Sequence, residues 1–135
     1  MRTYLADTSA WHHSRRRAHF WRSLLENEEL AICVPVALEL SYSARGANDF
    51  AALQDHLAGL HLLPLDEHAS RTASQTQAAL VARAQHRGPT PMDLLIAAVA
   101  EVHEATLLHY DRHFDAIGRV TGQPMEWLAR RGSLD

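Results

Sequence analysis

The sequence predicts an α/β fold: a three-layer α/β/α sandwich around a doubly wound parallel sheet of strand order 3-2-1-4-5. Short apolar runs alternate with longer helical patterns, which is the rhythm of parallel strands joined by helical crossovers. The runs are mostly apolar on both sides and do not alternate, as buried parallel strands require. The helical patterns also carry start signals, at Pro35 and at Thr90-Pro91.

The strand candidates are Arg2–Ala6, Leu30–Val34, His61–Leu65 and Ala105–Tyr110, with a short edge strand at Pro124–Trp127. Helical segments between them give the order β-α-β-α-α-β-α-α-β before that edge strand. In Ser14–Glu28, Ala18, Trp21, Leu24 and Leu25 form an apolar stripe, and Arg15, His19, Arg22 and Glu26 a polar one. Pro35 suits the first position of a helix after the second strand. From Glu67 to His86, Ala69, Ala73, Thr76, Leu80 and Ala84 recur at helical spacing, and Gly88 is the expected stop. Thr90-Pro91-Met92-Asp93 reads as a start signal, with threonine as N-cap and an acid at the third helical position. Leu94 to Val102 is almost wholly apolar, as a central packed helix would be.

The 135 residues suit a single domain, residues 1–135. No stretch approaches the roughly 20 apolar residues of a membrane helix, and no charged-then-apolar leader opens the chain, so no membrane association is expected. The one cysteine, Cys33, lies in an apolar run and reads as core filling; a cytoplasmic location follows. All 13 basic residues are arginine, and the net charge of -3 argues against a general nucleic-acid coat protein. It is compatible with a nuclease, because acids that bind a cation are offset by it.

Four acids share one kind of setting. Asp7 closes the first strand candidate, and Asp111 closes the fourth. Glu39 lies just inside the helix that Pro35 opens, and Asp93 in the first turn after Thr90. In a doubly wound sheet, ligands bind beyond the carboxyl ends of the strands where the winding reverses. With strands one and four adjacent, all four carboxylates face one cleft. Unit charges about 4 Å apart repel by roughly 4 kcal/mol at an effective dielectric near 20. Mg²⁺ or Mn²⁺, which prefer oxygen ligands, would relieve this and bring chemistry on phosphates. The sequence leaves open whether one ion binds or two. Each acid also has a plainer role: Asp7 as the cap of Thr8-Ser9-Ala10, Asp93 as a partner of its helix dipole, Asp111 as the cap of a short helix. Glu39, between Leu38 and Leu40, has no such role.

With these residues the chain resembles the PIN-domain family, and within it the VapC-type ribonuclease toxins of type II toxin–antitoxin systems. The resemblance runs from Met1 to about Trp127. Four motifs carry it: Tyr-Leu-Ala-Asp7-Thr8-Ser9-Ala-Trp, Val-Pro-Val-Ala-Leu-Glu39-Leu, Pro-Met-Asp93-Leu-Leu-Ile-Ala-Ala, and Leu-Leu-His-Tyr-Asp111-Arg-His-Phe-Asp. It implies a Mg²⁺-dependent endoribonuclease with Asp7, Glu39, Asp93 and Asp111 around the ion or ions, and Thr8 or Ser9 as an orienting hydroxyl. It further implies a homodimer, a VapB-like antitoxin that blocks the cleft, and structured targets such as transfer or ribosomal RNA. Many relatives carry a further acid where His113 stands here, which weakens the expectation of a second ion.

RNA contact is expected from Arg15, Arg16, Arg22, Arg87, Arg112 and His113, since arginine forks suit phosphate oxygens. Ten histidines show no zinc-ligand spacing. Trp11, Phe20, Trp21 and Trp127 read as core or dimer contacts. Phosphatase, phospho-receiver and P-loop readings each want a lysine, and the chain has none. The alternative function is a degenerate PIN domain that binds RNA or a protein without cutting.

Overall fold

A computed structural model describes residues 2–135. The elements follow in chain order: β1 (Tyr4–Ala6), α1 (Thr8–His12), a 3-10 turn (Ser14–Arg17), α2 (Ala18–Glu26), β2 (Leu30–Ile32), α3 (Val34–Tyr42) and α4 (Ala47–Ala58). The second half adds β3 (His61–Leu62), α5 (Glu67–Ala82), α6 (Pro91–Val102), β4 (Thr106–His109), α7 (His113–Thr121) and β5 (Met125–Trp127). The five strands form one parallel sheet of order β3-β2-β1-β4-β5, as expected. Register pairs Tyr4 with Leu30 on one side and with Thr106 on the other.

Successive strand residues enter opposite layers, as the two-residue period of a strand demands. Leu5, Ala31 and Leu107 join Val36, Leu80, Ile96, Val99 and Phe114 in the larger core. Tyr4, Ala6, Leu30 and Leu108 join Ala10, Trp21 and Leu24 in the smaller one. The sheet is therefore covered by α1 and α2 on one face and by the remaining helices on the other. Each fully buried leucine or phenylalanine contributes on the order of 1.5–3 kcal/mol. Among the described residues, no helix is long and apolar enough to cross a membrane.

Several boundaries differ from expectation, each for a local reason. The strands are shorter by one to three residues, and Val34, expected in β2, already belongs to α3, which makes Pro35 its second residue. β3 is exposed at both residues because it is the sheet edge. The Ser14–Glu28 helix is broken: Ser14 Oγ donates to Trp11 O at 2.8 Å, the chain passes through a 3-10 turn, and Ala18 faces solvent. α5 stops at Ala82, well before Gly88. Gln85 N donates to Leu80 O at 2.9 Å while Ala84 takes the left-handed conformation, φ 56°, that glycine usually supplies. An alanine in that role gives no sequence signal. A short helix, α1, follows Asp7 where only a turn was expected.

Candidate active site

The strand ends and helix starts that flank the β1–β4 reversal carry the four acids. Asp7 directly follows β1, and its amide extends the ladder to Leu108 O at 3.0 Å. Its side chain caps α1, where Oδ1 accepts from Ala10 N at 3.2 Å and from the Ser9 hydroxyl at 2.7 Å. Ser9 Oγ in turn accepts from Tyr110 N at 2.9 Å, so one hydroxyl joins the end of β1 to the end of β4. Asp7 is only 3% exposed. Burial pushes its carboxyl up to about 7, against the bonds from Ser9 and Ala10, and the charge of Asp93 adds to the rise.

Asp93 and Thr90 form a reciprocal capping box. Thr90 N donates to Asp93 Oδ2 at 2.9 Å, and Asp93 N donates to Thr90 Oγ1 at 3.2 Å. Burial raises the Asp93 carboxyl above its ordinary range despite Thr90, and the charges of Asp111 and Glu39 raise it further. Glu39 accepts at Oε1 from the Thr8 hydroxyl at 2.5 Å. Beneath α3, the buried Cys33 thiol is pushed up to about 11, chiefly by burial and then by the nearby charges of Glu39 and Asp7.

Asp111 follows β4. Its Oδ1 accepts from His113 N at 2.9 Å, with His113 Nδ1 at 3.4 Å. Its own amide donates to Nδ1 of His109 at 3.2 Å. His109 is 1% exposed, packed between the tilted rings of Phe114 and Trp127, and burial lowers its pKa to about 4. It is therefore a neutral acceptor that holds the Asp111 backbone. Nothing in its sequence context marks this role; the signal is only a histidine two places before an acid at a strand end.

The four acids thus sense one another across the cleft, and each is tied at a single oxygen. Among the described residues, Asp7 Oδ2, Glu39 Oε2, Asp93 Oδ1 and Asp111 Oδ2 accept no hydrogen bond. The buried polar atoms without partners among those residues are Trp11 Nε1 and Glu101 Oε1; Asp7 Oδ2 is not one of them, so water reaches it. The donor set is all-carboxylate and mutually repelling, which suits a hard divalent cation in charge and ligand type. As the side chains lie, no three His, Cys, Asp or Glu among the described residues stand close enough together to hold a metal ion.

Of the other expected residues, Arg112 and His113 lie beside Asp111. Arg15, Arg16, Arg22 and Arg87 are exposed and make no ion pair among the described residues. Arg17, their neighbour, donates to Leu128 O and lies over the Phe20 ring. The Trp11–Trp21 pair stacks edge to face at 4.9 Å, as core residues do. Asp115 faces away from the acids: it accepts from Trp127 Nε1 at 3.2 Å and pairs with Arg131 at 3.2 Å.

A parallel sheet wound both ways from a β1–β4 reversal, with carboxylates gathered at that reversal, narrows the families to which the chain can belong. The chain belongs to the PIN-domain family, whose model matches residues 4–120. It is 42% identical over 135 residues to Ribonuclease VapC18 of Mycobacterium tuberculosis, covering 97% of this chain and 98% of that protein. It is 38% identical to Ribonuclease VapC51 of the same organism, covering 98% and 97%. Among solved structures, the fold matches a chain of the DNA-bound VapBC complex from Salmonella typhimurium with a TM-score of 0.76 at 22% identity, covering 96% of this chain and 100% of that one. A chain of VapBC-1 from nontypeable Haemophilus influenzae matches at a TM-score of 0.74 and 20% identity, covering 93% and 98%.

Proposed function

We propose that the protein is a metal-dependent endoribonuclease toxin that hydrolyses RNA phosphodiester bonds, with Mg²⁺ or Mn²⁺ as its ion and transfer or ribosomal RNA as its target. One observation carries the reading: four carboxylates from four separate elements, each fixed at one oxygen and unengaged at the other, gathered at the strand ends. Asp7, Glu39, Asp93 and Asp111 are the residues that would hold the ion. A divalent cation held there would make a nearby water more acidic and offset charge on a phosphate oxygen.

The chain's own residues do the rest. Ser9 and Ala10 orient Asp7, Thr8 orients Glu39, Thr90 orients Asp93, and His109 with His113 N orient Asp111. These bonds fix one oxygen of each acid and narrow the arc that the other can sweep. Assembly of the full set around an ion needs side-chain rotation at the unengaged oxygens.

The names of its relatives, ribonucleases, support the RNA substrate, and the VapBC complexes support a VapB-like antitoxin as partner. An exposed apolar row on α3, Val34, Leu38 and Tyr42, supports a protein partner, whether that antitoxin or a second copy of the chain in a homodimer. The looser spacing of the acids is the observation that favours the second reading, a module that binds RNA without cutting it.

Incubation of the purified chain with total RNA separates the two. Cutting is expected with Mg²⁺ and absent with EDTA or in Asp7→Asn. Cutting that persists under chelation would contradict the metal dependence, and an RNA pool left whole in every condition would favour the binding module.

A further inference from the structure

The acid cluster should repel the polyanion it is proposed to cut, and the chain as a whole carries a net charge of -3. Positive charge is concentrated immediately beside it. A cavity of about 350 Å³ between α7 and the loop before α6 is lined by Arg112, Arg119, Arg131, His113 and Asp115. Arg112 and Arg131 also line a second depression, of about 330 Å³, whose wall includes Asp111 and Asp135. The two hollows form one track, leading from the acid Asp111 past Arg112 and Arg131 to Arg119. His113 stands at the junction, its Nδ1 3.4 Å from Asp111 Oδ1.

The track is arranged as a binding surface. Asp115 pairs with Arg131 at 3.2 Å and accepts from Trp127 Nε1, and the Arg131 guanidinium lies over the Trp127 ring, 5.7 Å from its centre. These three interactions hold Arg131 in place and introduce one negative charge. Arg112 and Arg119 have no acidic partner among the described residues. In the larger hollow three guanidinium groups face one carboxylate, Asp115, an excess of about two positive charges, whereas the acids Asp111 and Asp135 lie in the smaller one; forked donors in such a hollow suit phosphate oxygens.

We propose that this basic track, centred on Arg119 and Arg131, seats backbone phosphates of the RNA strand next to the one being cut. The proposal rests on the RNA reading above. Sequence alone supplied Arg112 and His113; Arg119 and Arg131 come from the fold, because β5 and the turn after it bring Arg131 beside α7. Asp115 is a positioning residue that acts through Arg131.

The test is fluorescence anisotropy of a labelled mixed-sequence oligoribonucleotide of about 12 nucleotides, titrated at several salt concentrations with the otherwise intact Asp7→Asn chain. Arg119→Gln is expected to weaken binding by about fivefold to tenfold and to reduce the salt slope by about 0.7 for each phosphate that is no longer neutralised. Arg119→Gln with Arg131→Gln should roughly double the change in slope, and Arg119→Lys should restore much of it. Arg45→Gln, which removes an exposed charge in the loop between α3 and α4, serves as the control for net charge. Equal weakening in Arg45→Gln and Arg119→Gln, or no change of slope in either track variant, overturns the track. So does a track variant that fails only to bind a protein partner, since the site would then take an acidic peptide. If the wild type cuts RNA yet the slopes are unchanged, the track alone falls. If the slopes change and nothing cuts, the catalytic reading falls and the track stands.

Discussion

Thr8 Oγ1 donates to Glu39 Oε1 at 2.5 Å, a hydrogen bond between α1 and α3 that spans 31 positions of sequence. It places on Glu39 a constraint that the helix alone cannot, since a glutamate has three side-chain torsions to fix. A hydrogen bond to a charged group contributes about 1.5–3 kcal/mol. Thr8→Val, which keeps the shape and removes the donor, is expected to lower the melting temperature by several degrees and to slow RNA cutting. Thr8→Ser should keep most of both. Thermal melts alongside single-turnover cleavage check this; full activity in Thr8→Val would remove the orienting role.

Asp7 carries a pH dependence whose sign follows from its burial. Its carboxyl, normally near 3.8, is raised to about 7 in the folded protein, so the folded state binds the proton more tightly than the unfolded one. Stability is therefore greatest below pH 3.8, as far as this group is concerned. It declines between 3.8 and 7 and is lower by about 4 kcal/mol above that window. Asp7→Asn keeps the cap acceptor and removes the titration. It is expected to melt higher than the wild type at pH 8 in the absence of metal, with the gap closing towards pH 4. A gap that stays constant across that range would show that burial of charge is not the cause.

The same repulsion predicts the response to divalent ions. Mg²⁺ or Mn²⁺ at about 100 times its dissociation constant should stabilise the wild type by about 2.7 kcal/mol. Differential scanning fluorimetry should show the shift, reversed by EDTA and missing in Asp7→Asn. An equal shift in both proteins would place the ion elsewhere.

On the proposed function, Thr90 and Asp93 of the capping box divide a structural and a chemical task. Asp93→Asn retains an oxygen for Thr90 N and should change the melting temperature little while abolishing cutting. Thr90→Ala removes the cap and should cost about 1 kcal/mol, with cutting reduced and not abolished. Circular dichroism melts and cleavage assays on the pair separate the tasks; an unfolded Asp93→Asn would mark the acid as a structural residue.

Most of the architecture was legible because its signals are local. Both-sided apolar runs such as Tyr-Leu-Ala and Thr-Leu-Leu-His locate β1 and β4, and Thr90-Pro91 marks the start of α6. The strand order then brings Asp7, Asp111, Glu39 and Asp93 to one edge. What could not be read depends on distant partners or on atypical residues. Ala84 ends α5 in a conformation that alanine rarely adopts. Ser9 serves Asp7 locally but Tyr110 across 101 positions, and only the second bond joins the two strand ends. His109 acts as a buried acceptor because Phe114 and Trp127 enclose it, and Arg131 joins the site through a turn beyond β5. Periodicity and caps carry no trace of these.

The central neighbours of the sheet, β1 and β4, are made about a hundred residues apart. A growing chain that has emerged as far as α5 owns Asp7 and Glu39 but neither of their counterparts across the reversal. The acid set therefore cannot assemble until β4 has been made and has paired with the first strand.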